Sequence, residues 1–432
     1  MSNKRRGKIA AVLAVCLPVL VAGMAVPSTA DSGRYLLEVE ANTSAERTQV
    51  AQIGVDVLGA TKLTTVQVVA DKAQYRALQA TGLPLKYVGD FEQELKKLGK
   101  VDFTDPVPGQ VGAQDFPSGY AGYHNYAEMT AELQQTVRDH PTLASLRSIG
   151  KSYQNRDIYA LKVSDNVATD ENEPEVLFVC GQHAREHLTV EQCLQIIKRF
   201  TDNYATPAVK DLVDNREVWL VPMMNPDGAE YDIETGSFRG WRKNRQGNGT
   251  DLNRNWGYKW GCCGGSSGSS TSDTYRGTAA FSAPETSVIR NFVNSRVVGG
   301  AQQIKTFIDF HSYSELVLWP YGYTRSDTDT GLNADEARAF QTLGRQMAAT
   351  NGYTPEQASD LYITDGSSDD WMWGQHKIWA YTFEMYPASG SGLNGFYPRD
   401  TAIATQTARN DRAVDLLLSY SDCVKRVIGQ TC

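Results

Sequence analysis

Within residues 181–193, GQHAREHLTVEQC, His183, Glu186 and His187 offer three side chains of the types that hold a metal ion. The chemistry such a set suggests is hydrolysis, because zinc held by three protein ligands keeps a position for water. Two ligand sets compete for these letters. Read as H-x-x-E-H, both histidines hold zinc and the glutamate is a base, as in inverted zincins. Read as H-x-x-E, His183 and Glu186 are ligands and His187 is not. The first arrangement needs a helix, where residues four apart share a face. The preceding run EVLFVCG (175–181) reads as a buried strand, which puts His183 in a strand-to-helix loop and favours the second reading. A third ligand must then come from elsewhere. His311, directly after the apolar run IKTFIDF (304–310), is the candidate, and Asp251 is a candidate carboxylate for orienting a ligand imidazole. His187, His124, His140 and His376 are read as structural.

The elements around these residues suit a sheet that carries its site at the strand ends. After EVLFVCG, the stretch LTVEQCLQIIKRFTDNY repeats apolar residues at helical spacing, and EVWLVPMMNPDG (217–228) and IKTFIDFH (304–311) are further buried strands. Each ends in polar residues, Asn225 and Asp227 in one and His311 in the other. Ligands of open α/β sheets bind at the carboxyl ends of strands. Before this alternating region lies a smaller unit. RYLLEVE (34–40) and TTVQVVAD (64–71) read as strands, AERTQVAQI and KAQYRALQAT as short helices. FTDPVPGQVGAQDFPSGYAGY then has the proline and glycine content of a linker. GCCGGSSGSSTSDT (261–274) reads as a surface loop.

Composition excludes several classes of partner. With 41% hydrophobic and 21% charged residues among 432, the chain can bury a large core. A net charge of −8 argues against nucleic-acid and anionic-membrane partners. Residues 1–30 read as a signal peptide: Lys4, Arg5, Arg6 and Lys8 precede an apolar run, and VPSTA supplies small residues up to Ala30. Secretion makes Cys180, Cys193, Cys262, Cys263, Cys423 and Cys432 disulfide partners, and Cys423 with Cys432 is the favoured pair because it ties down a terminus. The expected division is a signal peptide over 1–30, a propeptide over 31–114 and a catalytic domain over 115–432.

His183 to Glu186, WRKNR (241–245), DLNRNW (251–256), HSYSELVLWPYGY (311–323) and YTFE (381–384) stand in one order. In that order the chain resembles the zinc metallocarboxypeptidases of the carboxypeptidase A/B group and is most similar to the bacterial carboxypeptidase T type. The resemblance implies an α/β fold with a mixed, mostly parallel, eight-stranded twisted sheet between helices, preceded by a small α/β propeptide that inhibits the enzyme. It implies one zinc ion held by His183, Glu186 and His311, Glu384 as general base and Arg245 as oxyanion stabiliser, with Arg242 assisting and Arg185 touching substrate further from the scissile bond. Asn253 and Arg254 match the clamp for a free C-terminal carboxylate, a task suited to the planar guanidinium fork, and Tyr362 matches the phenol that closes over it. Asp369 in GSSDDW stands where enzymes selective for basic residues carry an aspartate. Leu318 and Thr364 nearby leave room for apolar side chains, so the expectation is release of single basic or hydrophobic residues. Calcium is a further expectation for a secreted enzyme of this type, although no EF-hand loop is present. The expected partners are peptides and proteins with free C-termini and the chain's own propeptide, with the enzyme a secreted monomer. The rival readings are an inverted-zincin endopeptidase, a non-catalytic peptide binder that keeps the fold, and a related amidase or deacylase.

Overall fold

The computed structural model describes residues 33–61, 64–98, 116–388 and 391–432. The expected signal peptide lies outside the described residues, as do residues 99–115 with the boundary between the expected propeptide and catalytic domain.

The N-terminal unit is an antiparallel sheet of four strands in the order β2-β3-β1-β4. These are β1 (Arg34–Glu40), β2 (Asp56–Thr61), β3 (Thr65–Asp71) and β4 (Leu85–Asp90), joined by helices α1 (Ser44–Gln52) and α2 (Lys72–Ala80) and followed by α3 (Phe91–Leu98). Both α1 and α2 start at capping boxes, Thr43 with Glu46 and Asp71 with Gln74, so their first-turn amides find partners. Two strands and one helix here go beyond the sequence expectation. β2 (DVLGAT) lacks a clean alternating pattern because its Asp56 is buried against the rest of the chain and not left to solvent. α3 buries Phe91 and Leu95, one turn apart, which hold it on the body of the protein.

The larger part is a sheet of eight strands, β5 (Ala144–Lys151), β6 (Asp157–Val163), β7 (Glu175–Val179), β8 (Glu217–Val221), β9 (Ile304–Ser314), β10 (Leu316–Trp319), β11 (Thr354–Gln357) and β12 (Trp379–Ala388). Their order is β11-β10-β12-β9-β7-β8-β6-β5. The central run β12-β9-β7-β8 is parallel, and antiparallel pairs flank it, so the sheet is mixed as expected. β7, fully buried, sends Val176 and Phe178 into the core on one face and Leu177 and Val179 into the core on the other. Helices α4 (Tyr126–Asp139), α5 (His187–Asp202), α6 (Ala334–Asn351) and α7 (Asp411–Ser419) cover the first face. The second is covered around Ile289, Phe292, Trp256, Trp371 and Met372. A period of two on the strand against two apolar layers explains the unbroken apolar run in sequence.

Three disulfides are present: Cys180–Cys193, Cys262–Cys263 and Cys423–Cys432. The first ties the end of β7 to α5 and the last closes the C-terminus. Among the described residues no helix is long and apolar enough to cross a membrane.

Candidate active site

His183 lies in the loop after β7, three residues before Glu186, which is the N-cap of α5. The Glu186 side chain does not cap the helix. Its Oε1 lies 2.9 Å from His183 Nδ1 and its Oε2 lies 2.9 Å from His311 Nδ1, His311 being carried on β9. The two Nδ1 atoms are 3.0 Å apart. All three side chains are buried.

The outer nitrogens decide what this group can hold. His183 Nε2 is 3.0 Å from Asp251 Oδ1, and His311 Nε2 is 3.1 Å from Asp309 Oδ2. Ionised carboxylates only accept, so each Nε2 carries the proton and donates it. Each Nδ1 is then left with a lone pair aimed at the other and at an anionic carboxylate. Two lone pairs and a carboxylate in a buried pocket repel unless a cation sits among them, and two imidazoles with one carboxylate suit zinc. The residues therefore fit the metal.

His187 points elsewhere. Its Nε2 is 3.0 Å from Asp232 Oδ2, and its ring packs edge-on against Phe116. The H-x-x-E-H reading is thereby set aside: His187 opens α5, whereas His183 lies in the loop, so the two cannot share a helical face. His124 pairs with Glu191, His140 with Asp202, and His376 stacks edge-on to Trp371.

Beside His183 and Glu186 is a cavity of about 70 Å³, lined also by Arg242, Asn253, Arg254, Tyr362, Asp369 and Glu384. That is well below the 300–1,000 Å³ of a ligand pocket, and Val57, Leu58 and Gly59 of β2 form part of its wall. Glu384 stands opposite His311 in the parallel pairing of β12 with β9. Desolvation in the cavity pushes its carboxyl up to about 8, with His311 opposing and Glu186 adding to the rise. Asn253 and Arg254 lie on a short 3₁₀ turn after Asp251, whose side chain caps it at Asn253 N. Asn253 Oδ1 accepts from Ser368 N at 2.9 Å, and Arg254 Nε donates to Gly265 O at 2.9 Å. The Tyr362 phenol lies within electrostatic reach of Arg254, Arg242 and Glu384, and burial raises its pKa. Asp369 is almost wholly buried, and burial raises its pKa too.

One expectation is corrected. Arg245 does not line the cavity. Its guanidinium stacks 3.4 Å from the Tyr231 ring centroid and 4.8 Å from that of Trp241. Arg242 occupies the cavity wall in its place, held by Asp251 Oδ2 at 3.2 and 3.1 Å, with Nη1 4.0 Å from Glu186 Oε1. WRKNR lies in an irregular segment, so no periodicity told its arginines apart. Arg185 is fully buried and grips Asp56 of β2 through both terminal nitrogens, at 2.5 and 2.8 Å.

Three further residues belong to the site without having been singled out. Asp309 orients His311; the signal was D-x-H on a strand, which puts both on one face. Asp56 fills the Arg185 fork and carries no sequence signal of its own. Asp365 is buried and accepts from Cys263 N at 3.0 Å, Gly265 N at 2.9 Å and Ser266 Oγ, tying the Tyr362 loop to the loop that holds Arg254. Two other acidic groups stand close together among the described residues. Asp170, Glu175 and Glu217 are each paired with Arg296 or Lys162, while Asp165, Glu171 and Glu173 are partly open to solvent. The calcium expectation finds no support in either.

Residues 129–413 match the sequence profile of a family described as zinc carboxypeptidase. A protein named zinc carboxypeptidase from Saccharothrix mutabilis subsp. capreolus is 63% identical over the full length of both chains. Rat carboxypeptidase A1 is 34% identical over 64% of this chain and 65% of its own. The crystal structure of thrombin activatable fibrinolysis inhibitor superposes with a TM-score of 0.69 at 25% identity, covering 91% of this chain and 99% of that one.

Proposed function

The chain belongs to the zinc carboxypeptidase family, and from that premise we propose that it is a secreted monomeric exopeptidase, made as an inactive precursor, that releases single basic or hydrophobic residues from peptide C-termini. The observation that carries the reading is one cavity lined by His183 and Glu186 of the His183–Glu186–His311 group, by the Glu384 carboxylate and by the Asn253–Arg254 pair. An endopeptidase has no need of that last pair.

Zinc held by His183, Glu186 and His311 supplies Lewis acidity to a peptide carbonyl and to water beside it. The remaining work falls to the chain. Arg254, with Asn253, receives the terminal carboxylate, and the Tyr362 phenol closes over it, which fixes the last peptide bond against the metal group. Glu384 takes a proton from water and delivers it to the departing amine. Its raised pKa suits a group that must hold a proton between the two transfers. Arg242 faces the negative charge that develops on the carbonyl oxygen. Asp369 attracts a Lys or Arg side chain, whose ammonium or guanidinium offsets the cost of a buried carboxylate. Leu318 and Thr364 on the same wall accept apolar side chains.

The N-terminal unit, residues 31–114 in full, acts as the propeptide in this reading. Support comes from β2, whose Val57, Leu58 and Gly59 wall the cavity that a substrate would have to enter. The disulfides support secretion.

The test uses the full chain loaded with zinc, before and after limited proteolysis between the two units, with peptides ending in Lys, Leu or a C-terminal amide. Release of single residues from the acids and not the amide, by the processed chain and not the precursor, is the expected result. Glu384→Gln should abolish it, and Asp369→Ala should remove only the Lys product. Internal cleavage, or binding without turnover, would overturn the reading.

A further inference from the structure

Asp309 is a buried carboxylate of β9 whose hydrogen bonds gather on one oxygen. Its Oδ2 accepts from His311 Nε2 at 3.1 Å, from Gln182 Nε2 at 2.7 Å and from Ser368 Oγ at 2.5 Å. Oδ1 is buried with no partner. Among the described residues its one ion pair is with His311. The other two donors are themselves buried and fixed. Gln182 Oε1 accepts from Trp256 Nε1 at 3.1 Å, which turns the amide nitrogen toward Asp309. Ser368 opens the helix Ser368–His376, and its backbone amide runs the other way, to Asn253 Oδ1 at 2.9 Å.

A carboxylate can present either oxygen to a neighbour unless donors choose between them. Three donors choose Oδ2 here, the oxygen that holds the His311 ring. Nδ1 of that ring faces His183 and Glu186, so a turn of Asp309 reaches the atom that would meet the metal. Resting on the assignment of His183, Glu186 and His311 to zinc, we propose that Ser368 and Gln182 are positioning residues that act through Asp309 and set how tightly the metal is held. Ser368 also joins the two halves of the site. Its hydroxyl serves the metal group, and its amide serves Asn253 of the carboxylate clamp. The two bonds are separable. Loss of the hydroxyl leaves the amide in place, and a change at Asn253 leaves the hydroxyl on Asp309.

The zinc affinity of the uncut full chain, measured by competition with a chromophoric chelator, tests this without recourse to activity. Ser368→Ala and Gln182→Ala should each raise the zinc Kd on the order of tenfold, the scale of an outer partner of a ligand histidine. Ser368→Thr, which keeps the hydroxyl, should restore most of the affinity. Asp309→Ala should weaken zinc further, and adding Ser368→Ala to it should change nothing more, because the hydroxyl then has no carboxylate to hold. Asn253→Ala should leave the zinc Kd unchanged and, after processing, raise KM for peptides ending in Lys. Melting of the zinc-free chains reports folding. If Ser368→Ala does not fold, Gln182→Ala, which lies outside that helix, carries the same comparison with Asp309→Ala. An unchanged zinc Kd in both Ser368→Ala and Gln182→Ala would overturn the proposal, as would losses that simply add to that of Asp309→Ala. A wild-type chain that binds no zinc would instead overturn the metal assignment, and the positioning role with it.

Discussion

Arg242 and Arg245 sit three residues apart and separate by environment. Arg242 faces the cavity with its charge balanced by Asp251, while Arg245 lies against two aromatic faces, with its Nε unpartnered. Of the two, only Arg242 lines the cavity, and the proposed mechanism gives it the developing oxyanion. Arg242→Gln should lower kcat by roughly 10²–10³, the loss typical of one oxyanion donor. Arg245→Gln should leave kcat within about tenfold and lower stability by about 1 kcal/mol, the worth of a cation–π contact. Steady-state kinetics and thermal melting of both variants check the assignment. At this scale the sequence conveyed residue types better than directions. His183, Glu186 and His311 were legible because a strand, a loop and a helix start constrain where each can point. WRKNR offered no such frame, and Asp56 acquires meaning only when a distant strand is laid beside Arg185.

At the scale of elements, buried strands explain most of what could be read in advance. β7, β8 and β9 are long apolar runs ending in polar residues, and two-sided burial produces that pattern. The pairing of β9 with β12, which sets His311 beside Glu384, is a long-range contact that no local pattern encodes. β11, at the sheet edge, holds Glu356 buried beside Asp360 and Arg47, its Oε1 unpartnered. Burial pushes this carboxyl up to about 7, with Asp360 adding and Arg47 opposing. The folded chain therefore keeps a proton there that the unfolded chain loses near 4.5, so this group's contribution to stability is full below about 4.5 and declines as pH rises through 7. Glu356→Gln should match the wild type in melting temperature near pH 5 and exceed it at pH 8, by up to about 3 kcal/mol in stability. Melting curves at the two pH values decide it, and a constant offset would refute it. The Asp365 brace is also an element-scale device, joining two loops through one carboxylate. Without it the Gly265 carbonyl no longer holds Arg254. Asp365→Ala should raise KM for C-terminal acids by about tenfold, with a smaller change in kcat, because the lost order lies at Arg254, which the proposed function assigns to the substrate carboxylate and not to the chemistry.

The whole molecule is held around its cleft by contacts from the N-terminal unit. Asp56 fills Arg185. Ser272 Oγ donates to the Gly54 carbonyl. On the Tyr362 side, Arg47 of α1 donates to the Asp360 and Leu361 carbonyls at 2.6 and 2.7 Å, Ser44 Oγ donates to Ser359 O, and Thr48 Oγ1 accepts from Ile363 N. The Tyr362 segment is therefore fastened on one side by helix α1 and on the other by Asp365. Of this arrangement, the sequence disclosed a small α/β unit and a proline- and glycine-rich stretch after it, but not which face of the unit meets the cleft. On the propeptide reading proposed above, these contacts predict that the latency is held electrostatically at Asp56. Asp56→Ala leaves Arg185 buried without its partner, a loss on the order of 3–5 kcal/mol. That corresponds to a rise of at least about 100-fold in the undocked fraction. The uncut Asp56→Ala chain should therefore hydrolyse C-terminal Lys peptides far faster than the uncut wild type, while the two processed enzymes behave alike. Arg47→Ala should produce a smaller rise, since its hydrogen bonds go to neutral carbonyls and the Glu356 carboxyl beside it can take up a proton. On that reading activity and melting should move in opposite directions across the uncut series, because one docking contact would both block the cleft and stabilise the chain. An Asp56→Ala precursor that melts lower yet stays silent would place the block in Val57–Gly59 alone.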